Sequence, residues 1–361
     1  VPQARHRSRQ RRRDVTPTVT VVTSVHQPDD PRIRLKGIQT LVEAGWRVTY
    51  VAPAPGPENS DGIDVIPLEG SRLRRTLTAV RTMFALDSDV TVVHDPELLP
   101  AAMALGTRRG SHRVVFDLHE DLPKQLLTRR SSPPLLRRPS AVASMWTLRA
   151  AERLVTVTLA ESNYSWMFDR DHPVFENHPV ASSLPMRVHD PSGVVYVGDI
   201  TADRGIPLLV EAMGEHSGVP LTLIGRCSPA LRHELEARAL ALDVPLEMTG
   251  FLPYAEAWAR AARHVVGVSP LLDLPNYRAS LPTKIDEYRA VGLVAVVSDL
   301  PASLEAINGS TAAISFTAGD TNALAGALGE ALGDPGRLAA AAAEAPEVRA
   351  SRVWDLSLIH I

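Results

Sequence analysis

Apolar residues along the chain fall into short β-branched runs, separated by stretches with apolar positions every three or four residues. TVTVVTSV (18–25) is the first run and predicts a strand buried on both faces. IRLKGIQTLVEAG (33–45) follows with helical spacing and a closing glycine, Gly45. WRVTYVAP (46–53) and IDVIPL (63–68) predict two more strands. Residues 71–86 read as a basic amphipathic helix, DVTVVHD (89–95) as a strand and LLPAAMALGTRRG (98–110) as a helix. RVVFDLHE (113–120) predicts a strand with its polar residues at the carboxyl end, and a helical region over 135–152 leads to LVTVTLA (154–160). The pattern then restarts. GVVYVGDI (193–200), PLTLIGR (220–226), LEMTGFLP (246–253), HVVGVSPL (264–271), VAVVSD (294–299) and AAISFT (312–317) predict six strands with helices between them. Strands alternating with helices imply parallel, doubly wound sheets. The expected fold class is therefore α/β, with two Rossmann-like domains in tandem over 16–185 and 186–345, joined through the proline-containing stretch 179–192.

The remaining segments, 1–15 and 346–361, stand apart. VPQARHRSRQRRRD holds six arginines without periodicity and is expected to be a disordered basic tail, open to anionic lipid or RNA. The stretch 346–361 could cross back to the first domain, and its SLIHI end could be a docking strand.

A length of 361 residues exceeds what one core usually holds, which agrees with two domains. Charged residues make up 22% and the net charge is -3, so no specific nucleic-acid partner is expected. The single cysteine, Cys227, excludes an internal disulfide and fits a reducing, cytoplasmic setting. No apolar run approaches the ~18–20 residues of a membrane span.

In open α/β sheets ligands sit beyond the carboxyl ends of the strands, and two such domains create a cleft between those ends. His26, Asp30 and Arg32 follow the first strand; His94 and Asp95 end the fourth; Asp117, His119 and Glu120 end the fifth. Asp199 and Arg204 follow the first strand of the second domain, and Arg226 ends the next. A histidine at a strand end serves structure as readily as chemistry, and three of them on one side of one sheet keep both readings open.

SLPTKIDEYRAVGLVAVVSDLP (280–301) reads as a loop, a short helix and a buried strand. Lys284 and Glu287 share one helix face near its N-terminus. A lysine at a helix N-terminus suits phosphate and a glutamate suits ribose hydroxyls; a capped surface helix with a solvated ion pair is the alternative. The pairs Asp87/Asp89 and Asp169/Asp171 have the spacing of metal-binding DxD elements, but they lie in charged connectors and read as solvated surface. No Cys/His spacing suggests zinc, so no metal site is expected. PKQLLTRRSSPPLLRRPS (123–140) pairs arginines with leucines and reads as an acceptor lid, a patch for a membrane surface or a flexible basic loop. Pro133 and Pro134 exclude a continuous helix there.

Four segments carry a family resemblance: SVHQPDDPRIRLKGIQTLVEAGWRVTYVAP; VVHDPELLPAA with VVFDLHEDLP; VVYVGDITADRGIPLLVEAM; and SLPTKIDEYRAVGLVAVVSDLP. They fall in both domains in the family's order, and with them the chain resembles, over about residues 18–340, the retaining GT-B glycosyltransferases of the family-4 type. The resemblance implies a nucleotide-diphosphate-sugar donor, as substrate rather than cofactor, held mainly by the second domain. It implies a hexosyl or N-acetylhexosaminyl transfer, with retention and without metal, to an acceptor on the first domain: a glycan, a lipid-linked molecule or a small aglycone. By position, Lys284 and Arg204 would bind the diphosphate and Glu287 the ribose. Arg226 and the loop Gly250–Tyr254 would border the base, with Asp199 also on the donor side. His119 would lie at the transferred sugar, with His26, Asp30, Arg32, His94, Asp95 and Glu120 as acceptor-side candidates. The basic segments leave a peripheral contact with the inner membrane face open.

Three departures stand out. Gly198-Asp199 replaces the Gly-Arg common in the family, which removes one phosphate-binding cation. Ala279 stands eight positions before Glu287, where the family often has a second glutamate. Pro28-Asp29-Asp30-Pro31 replaces a glycine-rich loop. A GT-B enzyme of another kind, an epimerase or phosphorylase, or a non-catalytic partner subunit, therefore remains the alternative.

Overall fold

The computed structural model describes residues 16–354 apart from 56–58, 60–61, 129–132, 181–182, 190, 279–281 and 352–353. The basic tail 1–15, Ala279 and the SLIHI end lie outside the described residues.

The first domain holds β1 (Thr18–Val22), β2 (Arg47–Pro53), β3 (Ile63–Leu68), β4 (Val90–Val93), β5 (Val114–Leu118) and β6 (Thr156–Leu159). The second holds β7 (Val194–Val197), β8 (Leu221–Ile224), β9 (Leu246–Gly250), β10 (Val266–Ser269), β11 (Val294–Ser298) and β12 (Ile314–Phe316). The sheet orders are β3-β2-β1-β4-β5-β6 and β12-β11-β10-β7-β8-β9, with parallel pairing throughout. The two domains thus share one doubly wound topology, a two-domain GT-B architecture. Its direction reverses between β1 and β4 in one sheet and between β7 and β10 in the other. These are the switch points where α/β sheets open a crevice.

Covered strands explain why the pattern was readable. Val194, Val195 and Tyr196 of β7 are fully buried, as are Val294, Val296 and Val297 of β11. Helices on both faces remove the polar alternation that a half-exposed strand would show. Gly267 of β10 has no side chain because the Tyr288 ring occupies that space; a Cβ there would meet ring atoms at 2.3 Å. That close approach seats the helix Lys284–Val291 against the sheet and aims its N-terminus at the switch point.

Three local readings change. The helix expected over 33–45 starts at Pro31 with π-helical turns to Ile38 and continues as α-helix over Gln39–Glu43. Asp30 caps it, its carboxylate accepting from the Arg32 and Ile33 amides, and Pro31 needs no such partner. The stretch 123–140 is mostly helical: Leu122–Thr128 and Pro134–Ala151 flank residues 129–132, which lie outside the described residues. Pro134 takes the first helical position, where its missing N–H costs nothing. A division at 345/346 would cut the helix Pro335–Ser351, which carries Pro346 inside it. Beyond it, Trp354 lies on the first domain, its amide donating to the Pro179 carbonyl and its indole N–H to Thr40 Oγ1, both at 3.0 Å.

Candidate functional site

The second domain contributes a cationic pit. Tyr196 is buried in β7, and its hydroxyl reaches the strand's carboxyl end. There it accepts from Lys284 Nζ at 3.0 Å and donates to the Asp199 carbonyl at 3.0 Å. Lys284 Nζ also sits 4.2 Å from the Tyr196 ring centroid, a cation–π distance. Arg204 bonds the same phenol. Burial alone would raise the Tyr196 pKa; the two cations outweigh it and hold the phenol below its ordinary value. Burial lowers the Lys284 ammonium, with Arg204 adding to the effect against the pull of Tyr196. Burial also works against the Arg204 charge, but Tyr196 and Asp199 more than restore it.

Gly198 makes room for whatever these cations face. Its φ is 137°, in the region that favours glycine. A Cβ there would lie 3.0 Å from Lys284 Nζ, 3.2 Å from the Tyr196 hydroxyl and 3.3 Å from Arg204 Nη1. The open space beside Gly198 is therefore walled by two fixed positive charges and the N-terminal turn of a helix. That arrangement suits a polyanion.

Glu287 lies one turn further along that helix and is 7% exposed. Its Oε1 accepts from Tyr254 Oη at 2.8 Å. Burial raises its pKa, and the strongest opposing influence is Lys36, which comes from the other domain. Lys36 is itself 1% exposed and donates to the Asn177 carbonyl at 3.0 Å and to its side-chain oxygen. Burial brings the Lys36 pKa down to about 8.

The first domain contributes three histidines on buried carboxylates. Asp95 accepts from Thr23, Ser24 and Val25, and its Oδ1 lies 2.7 Å from His26 Nδ1. Burial opposes its charge, yet His26 and these donors hold it down to about 2. The same carboxylate raises the His26 pKa in spite of burial. Asp117 binds the Arg32 guanidinium through both oxygens, at 3.2 and 3.0 Å, and accepts from Thr158 at 2.8 Å. His119 Nε2 lies 2.7 Å from Asp117 Oδ2 and 3.1 Å from His94 Nδ1. Burial pushes the His119 pKa down to about 4 despite Asp117, so its imidazole is neutral at pH 7.

These halves meet in a cleft of about 580 Å³. His26, Asp30, Arg32, His119, Glu120, Asp199, Arg204, Lys284 and Glu287 all line it. His94 and Asp95, at 7% and 1% exposed, sit behind that wall and hold His119 and His26. Arg32 reaches the cleft only at its edge, since Asp117 and the Phe175 carbonyl occupy its guanidinium. Arg226 lies in a neighbouring recess of about 210 Å³, 4.2 Å above the Phe251 ring. A further recess of about 320 Å³ runs from His119 to Lys124, Asn163 and Tyr277.

Sequence reasoning missed Tyr196, Lys36 and Asn177, and it gave Tyr254 only as part of a loop bordering the base rather than as the partner of Glu287. Tyr196 had one signal, a polar-tipped ring in an otherwise valine strand, two residues before its glycine. Lys36 had another, falling four residues after Arg32 on one helix face.

His94, Asp117 and His119 bring possible metal-ligand atoms within 4.8 Å of one another, the group of that kind found among the described residues. Arg32 already neutralises that carboxylate, which disfavours a second cation. Asp89 instead accepts from the Thr18 amide and hydroxyl, and Asp169 faces Arg149 and Arg153. Neither DxD pair lines the cleft.

The family described as glycosyl transferases group 1 matches residues 191–334, and the glycosyl transferase 4-like domain matches 11–165. No curated protein matches the chain in sequence. Among solved structures, sucrose-phosphate synthase from Thermosynechococcus elongatus is 16% identical, covering 96% of this chain and 97% of its own, with a TM-score of 0.74. HepE from Anabaena, in complex with UDP and glucose, is 14% identical over 96% and 97%, TM-score 0.70. WaaG, a glycosyltransferase of lipopolysaccharide biosynthesis, is 11% identical over 95% and 98%, TM-score 0.70.

Proposed function

The chain belongs to the group 1 glycosyl transferases, and we propose that it moves a sugar from a nucleotide-diphosphate-sugar donor to an acceptor bound on its first domain. The observation that carries the donor class is the pit at Gly198, where Lys284 and Arg204 converge on one phenol. A diphosphate would replace that phenol as their partner. Breaking the bond between the sugar's anomeric carbon and the phosphate oxygen leaves negative charge on the nucleoside diphosphate. Fixed cations and a helix N-terminus stabilise such charge without a metal ion. HepE, the similar protein seen with UDP and glucose, supports this donor class.

Glu287 takes the ribose hydroxyls, its charge braced by Lys36 and its position by Tyr254. Arg226 and Phe251 border the base. His119, neutral and held by Asp117, hydrogen-bonds the transferred hexose or N-acetylhexosamine. Asp199, at the rim, points its carbonyl inward and takes no part in charge stabilisation. Retention of configuration rests on the family resemblance.

Mass spectrometry of the products formed from a panel of nucleotide sugars tests the reading. Release of nucleoside diphosphate, with transfer or hydrolysis of the sugar, is the expected result. An epimerised donor, a sugar phosphate or no turnover of any donor would overturn it.

A further inference from the structure

We infer that the face of the first domain formed by the helices Pro134–Ala151 and Arg72–Ala85 docks on an anionic lipid bilayer. A surface helix ordinarily turns its apolar stripe inward. Pro134–Ala151 does so with Ala141, Leu148 and Ala151, which are buried in the core. It also carries a second stripe that faces out. Leu135, Val142 and Trp146, at positions i, i+7 and i+11, are 89%, 57% and 67% exposed. The positions between them on that stripe, Pro139 and Ala143, are exposed and apolar too.

Charge selects the occupant. Pro134–Ala151 contains three arginines and no aspartate or glutamate of its own; of the three, Arg149 pairs with Asp169 from outside the helix. Arg72–Ala85 contains four arginines, again without a carboxylate of its own, though Arg72 pairs with Glu97; it exposes Leu73 and Leu77 at 70% and 52%. Both helices cover the same side of the first sheet, since Ala79, Met83, Leu148 and Ala151 share one core cluster. The chain as a whole carries a net charge of -3, so this concentration of cations is local. Leucines to enter the acyl boundary, an indole for the interface and arginines for headgroup phosphates are what an interfacial helix presents.

The patch adjoins the acceptor side. The helix Leu122–Thr128 packs on Pro134–Ala151, lends Lys124 and Gln125 to the recess beside His119, and exposes Leu127. A lipid-linked acceptor could pass from this surface into that recess. This last step rests on the glycosyl-transfer reading; docking itself does not.

Co-sedimentation of the full chain with phosphatidylcholine vesicles, with and without phosphatidylglycerol, tests docking in the absence of any donor. Binding should require the anionic lipid and weaken with salt. The variant Leu135→Ser/Trp146→Ala should lose about tenfold or more in partition. Its melting temperature should stay unchanged, because both side chains are already exposed. Quenching by brominated lipids should fall in Trp146→Phe relative to the wild type, which reads insertion without any loss of fold. Donor hydrolysis without vesicles should be the same in both variants as in the wild type. Absence of binding to anionic vesicles, equal binding by the double variant or a dimer broken by it would overturn the proposal. Loss of donor turnover in the wild type itself would sink only the transfer reading.

Discussion

Lys284 Nζ and the Tyr196 hydroxyl meet at 3.0 Å across two elements of the second domain, a helix N-terminus and a strand end 88 residues apart. The contact holds the ammonium over the pit at Gly198 before any anion arrives. Preorganised charge of this kind needs no reorganisation as the leaving group forms. Lys284→Ala should therefore lower kcat by about 10²–10³. Tyr196→Phe removes the phenol's hydrogen bonds to Lys284 and Arg204 and leaves both cations in place. Its expected cost is about tenfold, on the order of 1.5 kcal/mol. Steady-state kinetics with the true donor would read both, and near-normal turnover by Lys284→Ala would remove this site from the mechanism.

Glu287 and Lys36 face each other across the domain boundary without touching. Each is buried, and each moves the other's pKa toward the charged form. Removing one strands the other, and an unpaired buried charge costs more than a pair removed together. Glu287→Gln and Lys36→Met should each destabilise, and the double variant should be less unstable than their sum by about 1 kcal/mol or more. Urea titrations of the four proteins give the coupling. Strict additivity would mean the two charges do not sense each other.

The parts of this molecule that were legible in sequence are those built from local repetition. β11 runs over Val294–Ser298 because a strand covered on both faces must be apolar throughout; β3, over Ile63–Leu68, is an edge strand with Asp64 and Pro67 exposed, and it was legible only as a short β-branched run. Lys284 and Glu287 were visible because one helix carries both. Tyr196 was not, since its hydroxyl acts only where β7 ends against a helix that begins 88 residues later. Lys36 looked like any lysine on an amphipathic helix; its burial depends on Asn177, 141 residues away. His94 and Asp95 read like cleft residues because they end β4. The packing of His26 and His119 in front of them was not encoded in their own neighbourhood. Trp354 is separated from the helix it packs on by almost the whole chain.

Transfer should be insensitive to chelators. The cleft's charge stabilisation comes from Lys284 and Arg204, and the one compact cluster of metal-type ligands among the described residues already holds Arg32 on its carboxylate. Assays after EDTA treatment should match untreated enzyme, and added magnesium or manganese should not raise the rate. Activity abolished by EDTA and restored by either ion would contradict this.

His119 should leave its mark on stability as well as on rate. Its folded pKa is held down to about 4 by burial, against about 6.5 in an unfolded chain. The unfolded state therefore takes up the proton first as pH falls. The stability linked to neutral His119 is fully present above pH ~6.5 and is lost as pH drops toward 4, by at most about 3 kcal/mol. His26 works in the opposite sense, because its folded pKa is raised, but it is common to wild type and variant and cancels in the comparison. Denaturant titrations at several pH values between 7.5 and 4.5 should show a shallower loss for His119→Gln than for the wild type. At pH 7.5 the same variant should lose kcat while keeping most of its stability, because a side chain aimed at the sugar does more for the reaction than for the core. Parallel stability profiles would show that the imidazole is solvated in the folded protein, and an unchanged kcat would remove it from the cleft's chemistry.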